Sequence, residues 1–119
     1  MYYKDMEVWK ESIDLAEYIY KITENFPKSE VFGLTGQIRR SAISIPSNIA
    51  EGFVKHSKKE TLRFLDIALG SLAELDTQII LSEKIGYINN YTELEQKISK
   101  TNALITGVIK YCNKELIKN

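Results

Sequence analysis

The spacing of apolar residues is the feature of this sequence that most restricts its fold. Over four long stretches, apolar side chains recur every three or four positions, which is the period of one face of an α-helix. The stretches cover about residues 5–25, 32–54, 58–85 and 91–116, and none of them alternates with the period of two that strands require. The pattern predicts an all-α chain. We expect a single domain over residues 1–119, folded as an antiparallel up-down-up-down four-helix bundle.

Short motifs predict where two of these helices begin and where one ends. Ser57 with Glu60 three positions later has the spacing of a capping box, and Thr92 with Glu95 repeats it. Gly86 is a typical stop for the third helix, because glycine adopts the left-handed backbone conformation that closes many helices.

The charge and the cysteine content narrow the classes of function. Lys plus Arg and Asp plus Glu number 16 each, so the chain lacks the overall basic excess of many nucleic-acid-binding proteins. One cysteine and the charged opening MYYKDMEVWKES predict a cytoplasmic protein without a signal peptide. No apolar run approaches the roughly 20 residues that cross a bilayer, so no membrane partner is expected.

A proline stands inside the second stretch, in the segment QIRRSAISIPSNIAEG. Pro46 cannot donate a hydrogen bond to the carbonyl of Ala42, which costs a helix interior about 3 kcal/mol. A new helix could begin at Pro46, but Ile45 would then be a poor N-cap. Because the apolar stripe keeps its phase from Ile38 to Ile49, we expect one continuous helix, kinked at Pro46.

Two lines of polar residues are predicted to face each other across the second and third helices. The third helix also has Gly70 beside its line, where a glycine would allow another backbone to come close. A hydrogen-bonded network that fixes the helix register is the favoured interpretation, with a polar pocket for a small molecule and a catalytic site as alternatives. The predicted network consists of Gln37, Arg40, Ser44, Asn48, Glu51, Ser71 and Glu74, with Gln78 at its end.

Several apolar residues lie off the main stripes, and they allow two interpretations. They could widen the core face, with a few exposed members, or they could form a second apolar surface that pairs with another copy of the chain. These residues are Tyr18, Tyr20, Ile43, Phe64 and Leu75.

The sequence offers little catalytic or metal-binding chemistry. Zinc sites need several Cys or His ligands at set spacings, and here His56 and Cys112 are the only two and lie in different segments. Cys112 falls on the core stripe of the fourth helix, and His56 lies in a lysine-rich turn. We expect no metal, no cofactor and no enzymatic activity.

A basic segment surrounds the turn between the second and third helices. Its cations could contact phosphate groups, or they could simply form a solvated turn. Aromatic residues are sparse there, so any RNA would be recognised by backbone charge and not by its bases. The candidate nucleic-acid-binding residues are Arg39, Lys55, Lys58, Lys59 and Arg63.

The segment QIRRSAISIPSNIAEG, the lysine-rich turn after it, FLDIALGSLAELDTQIILSEKIGYI and the early EVWKESIDLAEYIY resemble one protein family. They are similar to the bacterial four-helix-bundle proteins of the 23S rRNA intervening-sequence family. The diversity-generating retroelement accessory protein belongs to the same superfamily. The resemblance implies a ring-shaped homopentamer, an association with structured RNA or a nucleic-acid enzyme, and structural roles for Arg40, Asn48, Glu51, Ser71 and Glu74.

Residues and resemblance together predict a non-enzymatic, homopentameric helical bundle that serves as an RNA-associated scaffold. The alternative is an adaptor for a protein such as a reverse transcriptase or polymerase, without direct RNA contact.

Overall fold

A computed structural model describes residues 2–118, with side chains described through residue 114. Four helices make up most of it. They are α1 (Glu7–Thr23), α2 (Leu34–Phe53), α3 (Lys58–Lys84) and α4 (Thr92–Lys118), and short 3-10 turns precede α1 and α2. Residues 2–118 contain no strand. The all-α prediction is confirmed, and the helix bounds lie within a few residues of those expected from the apolar period.

The four helices form a bundle in which each packs against two others. α1 contacts α2 and α4, and α3 contacts α2 and α4. Between α1 and α4, Glu11 pairs with Lys100 and Tyr18 pairs with Glu93. Residue numbers therefore increase along α1 in the direction in which they decrease along α4. This order is compatible with the antiparallel arrangement that short connections favour. No helix within residues 2–118 is long and apolar enough to cross a membrane.

The core runs along the inside of all four helices. The exposed fraction of each off-stripe side chain shows which of them belong to it. Leu75 is fully buried and Phe64 is only 8% exposed, so both belong to the core and not to a second apolar surface. Ile43 and Tyr20 are exposed, and Tyr18 is half-buried. Cys112 is buried, as its position on the core stripe predicted. The largest fully buried side chains include Leu15, Ile19, Ile38, Ile45, Ile49, Leu65, Ile79, Leu94 and Ile105.

The end of α3 has the hydrogen bonds that its glycine predicted. Gly86 has a φ of 89°, a left-handed conformation in which L-residues with side chains are strained. Its N–H bonds to the carbonyl of Glu83 at 3.1 Å, and the Tyr87 N–H bonds to the carbonyl of Ser82 at 2.9 Å. This pair of bonds is the Schellman motif, which satisfies carbonyls that the helix leaves without partners.

The helix starts follow the predicted capping boxes only in part. Ser57 caps α3, because its Oγ accepts the Glu60 N–H at 3.4 Å, but the Glu60 carboxylate turns to Arg63. Thr92 is the first residue of α4, and its N–H bonds to the side chain of Asn90 at 3.0 Å. The prediction was that the Thr92 side chain would cap the helix. Instead Asn90, two residues earlier, does so, because its short side chain brings the Oδ1 atom within reach of the Thr92 N–H.

Pro46 lies inside one uninterrupted helix. α2 runs from Leu34 to Phe53 through the proline, so the alternative in which a new helix begins there is wrong. The proline ring is buried, and its apolar contacts offset part of the cost of the missing hydrogen bond. The bend at this position stays a prediction.

The close approach of two helix backbones occurs at Gly52 and not at Gly70. A Cβ on Gly52 would lie 3.1 Å from the Cβ of Phe64 and 3.2 Å from the carbonyl oxygen of Thr61 on α3. The Thr61 hydroxyl also donates a 2.8 Å hydrogen bond to the Gly52 carbonyl. A Cβ on Gly70 would meet nothing within 4 Å, so the predicted role of Gly70 is wrong. Gly70 points away from α2, whereas Gly52 lies where α2 and α3 touch.

Candidate functional site

The centre of the predicted polar network forms between α2 and α3. Ser44 Oγ lies 2.8 Å from Ser71 Oγ, which joins the two helices. The Asn48 amide nitrogen donates to Ser44 twice, to its carbonyl at 2.8 Å and to its hydroxyl at 2.9 Å. Ser71 is buried, and Ser44 and Asn48 are half-buried. These three side chains satisfy one another, which is what a partly buried polar group requires.

Four further members of the predicted network do not join it. Among the side chains of residues 2–114, those of Gln37, Arg40, Glu51 and Glu74 form no hydrogen bond or ion pair, and all four are exposed. Their spacing is correct, but they lie at the outer edge of the helix pair. Water can solvate them there, so the fold does not need protein partners for them.

A shallow groove of about 320 Å³ follows the outer edge of the α2–α3 pair. Arg40 and Glu74 lie on its two walls, and Ser44 and Ser71 on its floor. Gln78 contributes a buried side-chain oxygen that has no hydrogen-bond donor among the described residues. Asn48 and Glu51 do not line this groove.

Three of the five candidate nucleic-acid-binding residues, Lys55, Lys58 and Lys59, lie at the α2–α3 connection and are exposed. Arg63 follows one turn later on the same end of the bundle. We call these four residues the basic end. Among the described side chains, Lys55 and Lys59 form no ion pair or side-chain hydrogen bond, so their ammonium groups are available to solvent and to phosphates.

Arg39 lies apart from the basic end. It is about 20 Å from the end of α2, because a helix rises 1.5 Å per residue. Its guanidinium donates to the Thr23 hydroxyl at 2.9 Å and to the Tyr20 carbonyl at 3.3 Å, and it stacks on the Tyr20 ring at 4.6 Å. Arg39 therefore closes the carboxyl end of α1, as basic side chains near helix termini often do.

A carboxylate and an aromatic ring organise the basic end. Arg63 Nε bonds to the Glu60 carboxylate at 2.9 Å, and this bond holds the pKa of Glu60 below its ordinary value, with smaller contributions from the charges of Lys55 and Lys59. The Arg63 guanidinium and the Lys55 ammonium both lie over the Phe64 ring, at 4.5 and 5.1 Å. Two cations thus lie over one aromatic ring, and the Glu60 carboxylate neutralises part of their charge.

The possible metal ligands among residues 2–114 do not cluster. No group of three or more His, Cys, Asp and Glu side chains there is arranged to hold a metal ion. His56 is exposed in the connection, and Cys112 is buried in α4.

An apolar groove of about 680 Å³ at the same end of the bundle escaped prediction. It lies between Phe53 at the end of α2 and the stretch of α4 that includes Leu104, Val108 and Tyr111. We call it the end groove. A signal was present in the sequence, because the fourth helical stretch is longer than the first and must extend past it at one end of the bundle.

The hydrogen bonds of Asn48 predict unequal effects for two substitutions. Asn48→Ala should lower the free energy of unfolding by about 1 kcal/mol, because two hydrogen bonds to Ser44 are lost. Glu51→Ala should change it by less than about 0.5 kcal/mol, because that side chain is exposed and unbonded. Urea unfolding followed by circular dichroism at fixed protein concentration measures both. Equal losses, or a larger loss for Glu51→Ala, would contradict the reported hydrogen bonding.

Comparisons with known proteins agree with the fold. The family model of the 23S rRNA-intervening sequence protein matches residues 4–107. A crystal structure from Bacteroides thetaiotaomicron, of a protein with unknown function from the S23 ribosomal protein family, is similar with a TM-score of 0.79. The two sequences are 26% identical, and the similarity covers 87% of this chain and 95% of that one. No curated protein matches the chain. The family match over most of its length shows that this chain belongs to the 23S rRNA-intervening sequence protein family.

Proposed function

We propose that this protein is a non-catalytic helical bundle that assembles as a homopentamer and associates with structured RNA. Membership of a family whose name refers to an intervening sequence of 23S rRNA connects the chain with RNA. The observation that carries the proposal for this chain is the basic end, where exposed Lys55 and Lys59 have no described ion pair.

The basic end suits phosphate groups better than bases. Recognition of single strands relies on exposed aromatic rings that stack on bases. Phe64 is only 8% exposed and already lies under two cations, and Phe53 is half-buried. The contact we propose is therefore electrostatic, weak for one copy of the chain and dependent on salt.

Assembly would repeat this small positive surface around a ring. The outer sides of α2 and α3 carry Ile43, which is 44% exposed, and Ile67, which is 40% exposed. Exposed Arg40 and Glu74 lie on the two walls of the groove between these helices and offer one charge of each sign to a neighbouring copy. Aliphatic residues with polar neighbours of both signs are typical of protein–protein contacts.

The assembly is tested by light scattering at micromolar concentration. The expected mass is about five times the 13.7 kDa of one chain. Ile43→Glu combined with Ile67→Glu should lower that mass, because two carboxylates would be buried without partners. Asn102→Glu, at an exposed polar position of α4, is the control and should leave the mass unchanged. A monomeric wild-type protein would contradict the proposed assembly.

The RNA contact is tested with a fluorescein-labelled RNA stem-loop, titrated at several salt concentrations. Because each phosphate contact contributes about 0.7 to 0.9 to the salt slope, Lys55→Glu with Lys59→Glu should reduce that slope by roughly 1.5. Lys10→Glu with Lys21→Glu on α1 makes the same charge change elsewhere and should have a much smaller effect. Binding that does not depend on salt, or an equal loss for both pairs of variants, would refute the assignment to the basic end.

The end groove favours the adaptor function as a second candidate. It is the largest of the cavities described above, and its apolar lining suits a protein partner better than it suits RNA.

A further inference from the structure

The end groove exists because α1 is shorter than the helix beside it. Lys100 of α4 lies 2.9 Å from the Glu11 carboxylate and 4.0 Å from that of Glu7, which is the first residue of α1. α4 continues to Lys118, so its residues after Leu104 extend past the start of α1. At that level the chain before α1 continues as the 3-10 turn Tyr3–Asp5, which contacts α1 and α2, and as Met6, which lines the groove. One position of the four-helix arrangement is open there.

The lining of the end groove is that of a helix-packing surface. Phe53, Leu104 and Val108 are half-buried beside the buried Cys112, and Tyr111 is 61% exposed at the rim. Gly107 lies between them, and a Cβ at this position would meet nothing within 4 Å. The part of α4 from 104 to 112 is about 12 Å long, or roughly two helical turns. The open position therefore has room for a helix of about that length.

The charges around the end groove indicate the chemistry of its occupant. Lys55, which forms no ion pair among the described side chains, lines the side formed by the α2–α3 connection, next to His56. No Asp or Glu is found among the described residues that line the groove. An acidic flank on the occupant would complement this side, and it would also favour the correct orientation during binding.

We propose that the end groove binds an amphipathic, acidic α-helix of a partner protein, which takes the open fourth position for about two turns. Helices that dock in this way place apolar residues at i, i+3 or i+4, and i+7 into a groove. Here the apolar stripe would lie on Phe53, Leu104 and Val108, with Glu or Asp residues toward Lys55 and His56. The family match ends at residue 107, so Val108, Tyr111 and Cys112 lie beyond it. The inference does not depend on RNA binding.

The test uses the full chain, treated with nuclease, and a fluorescein-labelled helical peptide of about 15 residues. The peptide carries Leu at the docking positions and Glu on both flanks of that stripe. A peptide of the same composition with the Leu residues scattered around the helix is the first control, and a peptide with Lys in place of Glu is the second. Fluorescence anisotropy should show saturable binding of the first peptide, with both controls weaker by about tenfold or more, or roughly 1.4 kcal/mol.

A matched pair of glycine variants locates the binding site. Gly107→Leu fills the end groove at an exposed helix position, and it should weaken peptide binding by about tenfold. Gly70→Leu makes the same change on the open surface of α3 and should alter the affinity by less than about twofold. Both replacements raise helix propensity, so loss of folding does not explain an effect.

Several results would overturn the proposal. The proposal fails if the peptide with scattered Leu residues, or the peptide with Lys in place of Glu, binds as tightly as the first peptide. It also fails if the Gly107→Leu variant binds the first peptide as tightly as the wild type does. A lower assembly mass of Gly107→Leu in light scattering would also overturn it, because the groove would then hold a second copy of this chain. Failure of the RNA titration leaves this measurement unaffected, so the two proposals fail separately.

Discussion

The contact between α2 and α3 at Gly52 is the constraint on which the rest of the structure depends. The two helices come so close there that a Cβ would lie 3.1 Å from the Phe64 Cβ and 3.2 Å from the Thr61 carbonyl oxygen, tighter than ordinary van der Waals contact, and the Thr61 hydroxyl bonds directly to the Gly52 carbonyl. Further along the same pair, Ser44 and Ser71 connect the helices through their hydroxyls. Pro46 lies between these two contacts in an unbroken helix. A helix that lacks one internal hydrogen bond is thus held at two points by its neighbour.

The same contact helps to position the residues of the proposed binding surfaces. Because α2 ends immediately after Gly52 and α3 starts at Lys58, the connection is short and turns sharply. This turn presents Lys55 and Lys59 at one end of the bundle, and the unequal lengths of α1 and α4 open an apolar groove at that same end. Charge and apolar surface therefore lie side by side, whereas Arg39, in the opposite half of α2, closes the carboxyl end of α1. The proposed RNA contact and the end groove therefore share one end of the bundle.

The sequence predicted the helices well because their information is local. The apolar period is set by neighbouring turns of the same helix, and Ser57 and Gly86 act on the helix end beside them. Both residues have the expected backbone conformation. The predicted site was less accurate because it depends on direction around the helix axis. The sequence alone does not distinguish Gly52 from Gly70, but only Gly52 lies where α2 and α3 touch. Arg39 and Lys55 belong to one basic segment of the sequence, yet most of a helix separates them. Phe64 and Leu75 were placed off the stripe because the buried face of α3 is wider than one stripe.

The central claim is tested most directly by the free energy of unfolding of Gly52→Ala compared with that of Gly70→Ala. The added methyl group at position 52 must displace the Thr61 carbonyl and the Phe64 side chain by a few tenths of an ångström in a packed contact, so we expect a loss of roughly 1 to 3 kcal/mol. The same methyl group at position 70 meets open space and raises helix propensity, so we expect a gain of up to about 1 kcal/mol. An alanine at position 52 that is neutral or stabilising would contradict the account of the α2–α3 contact.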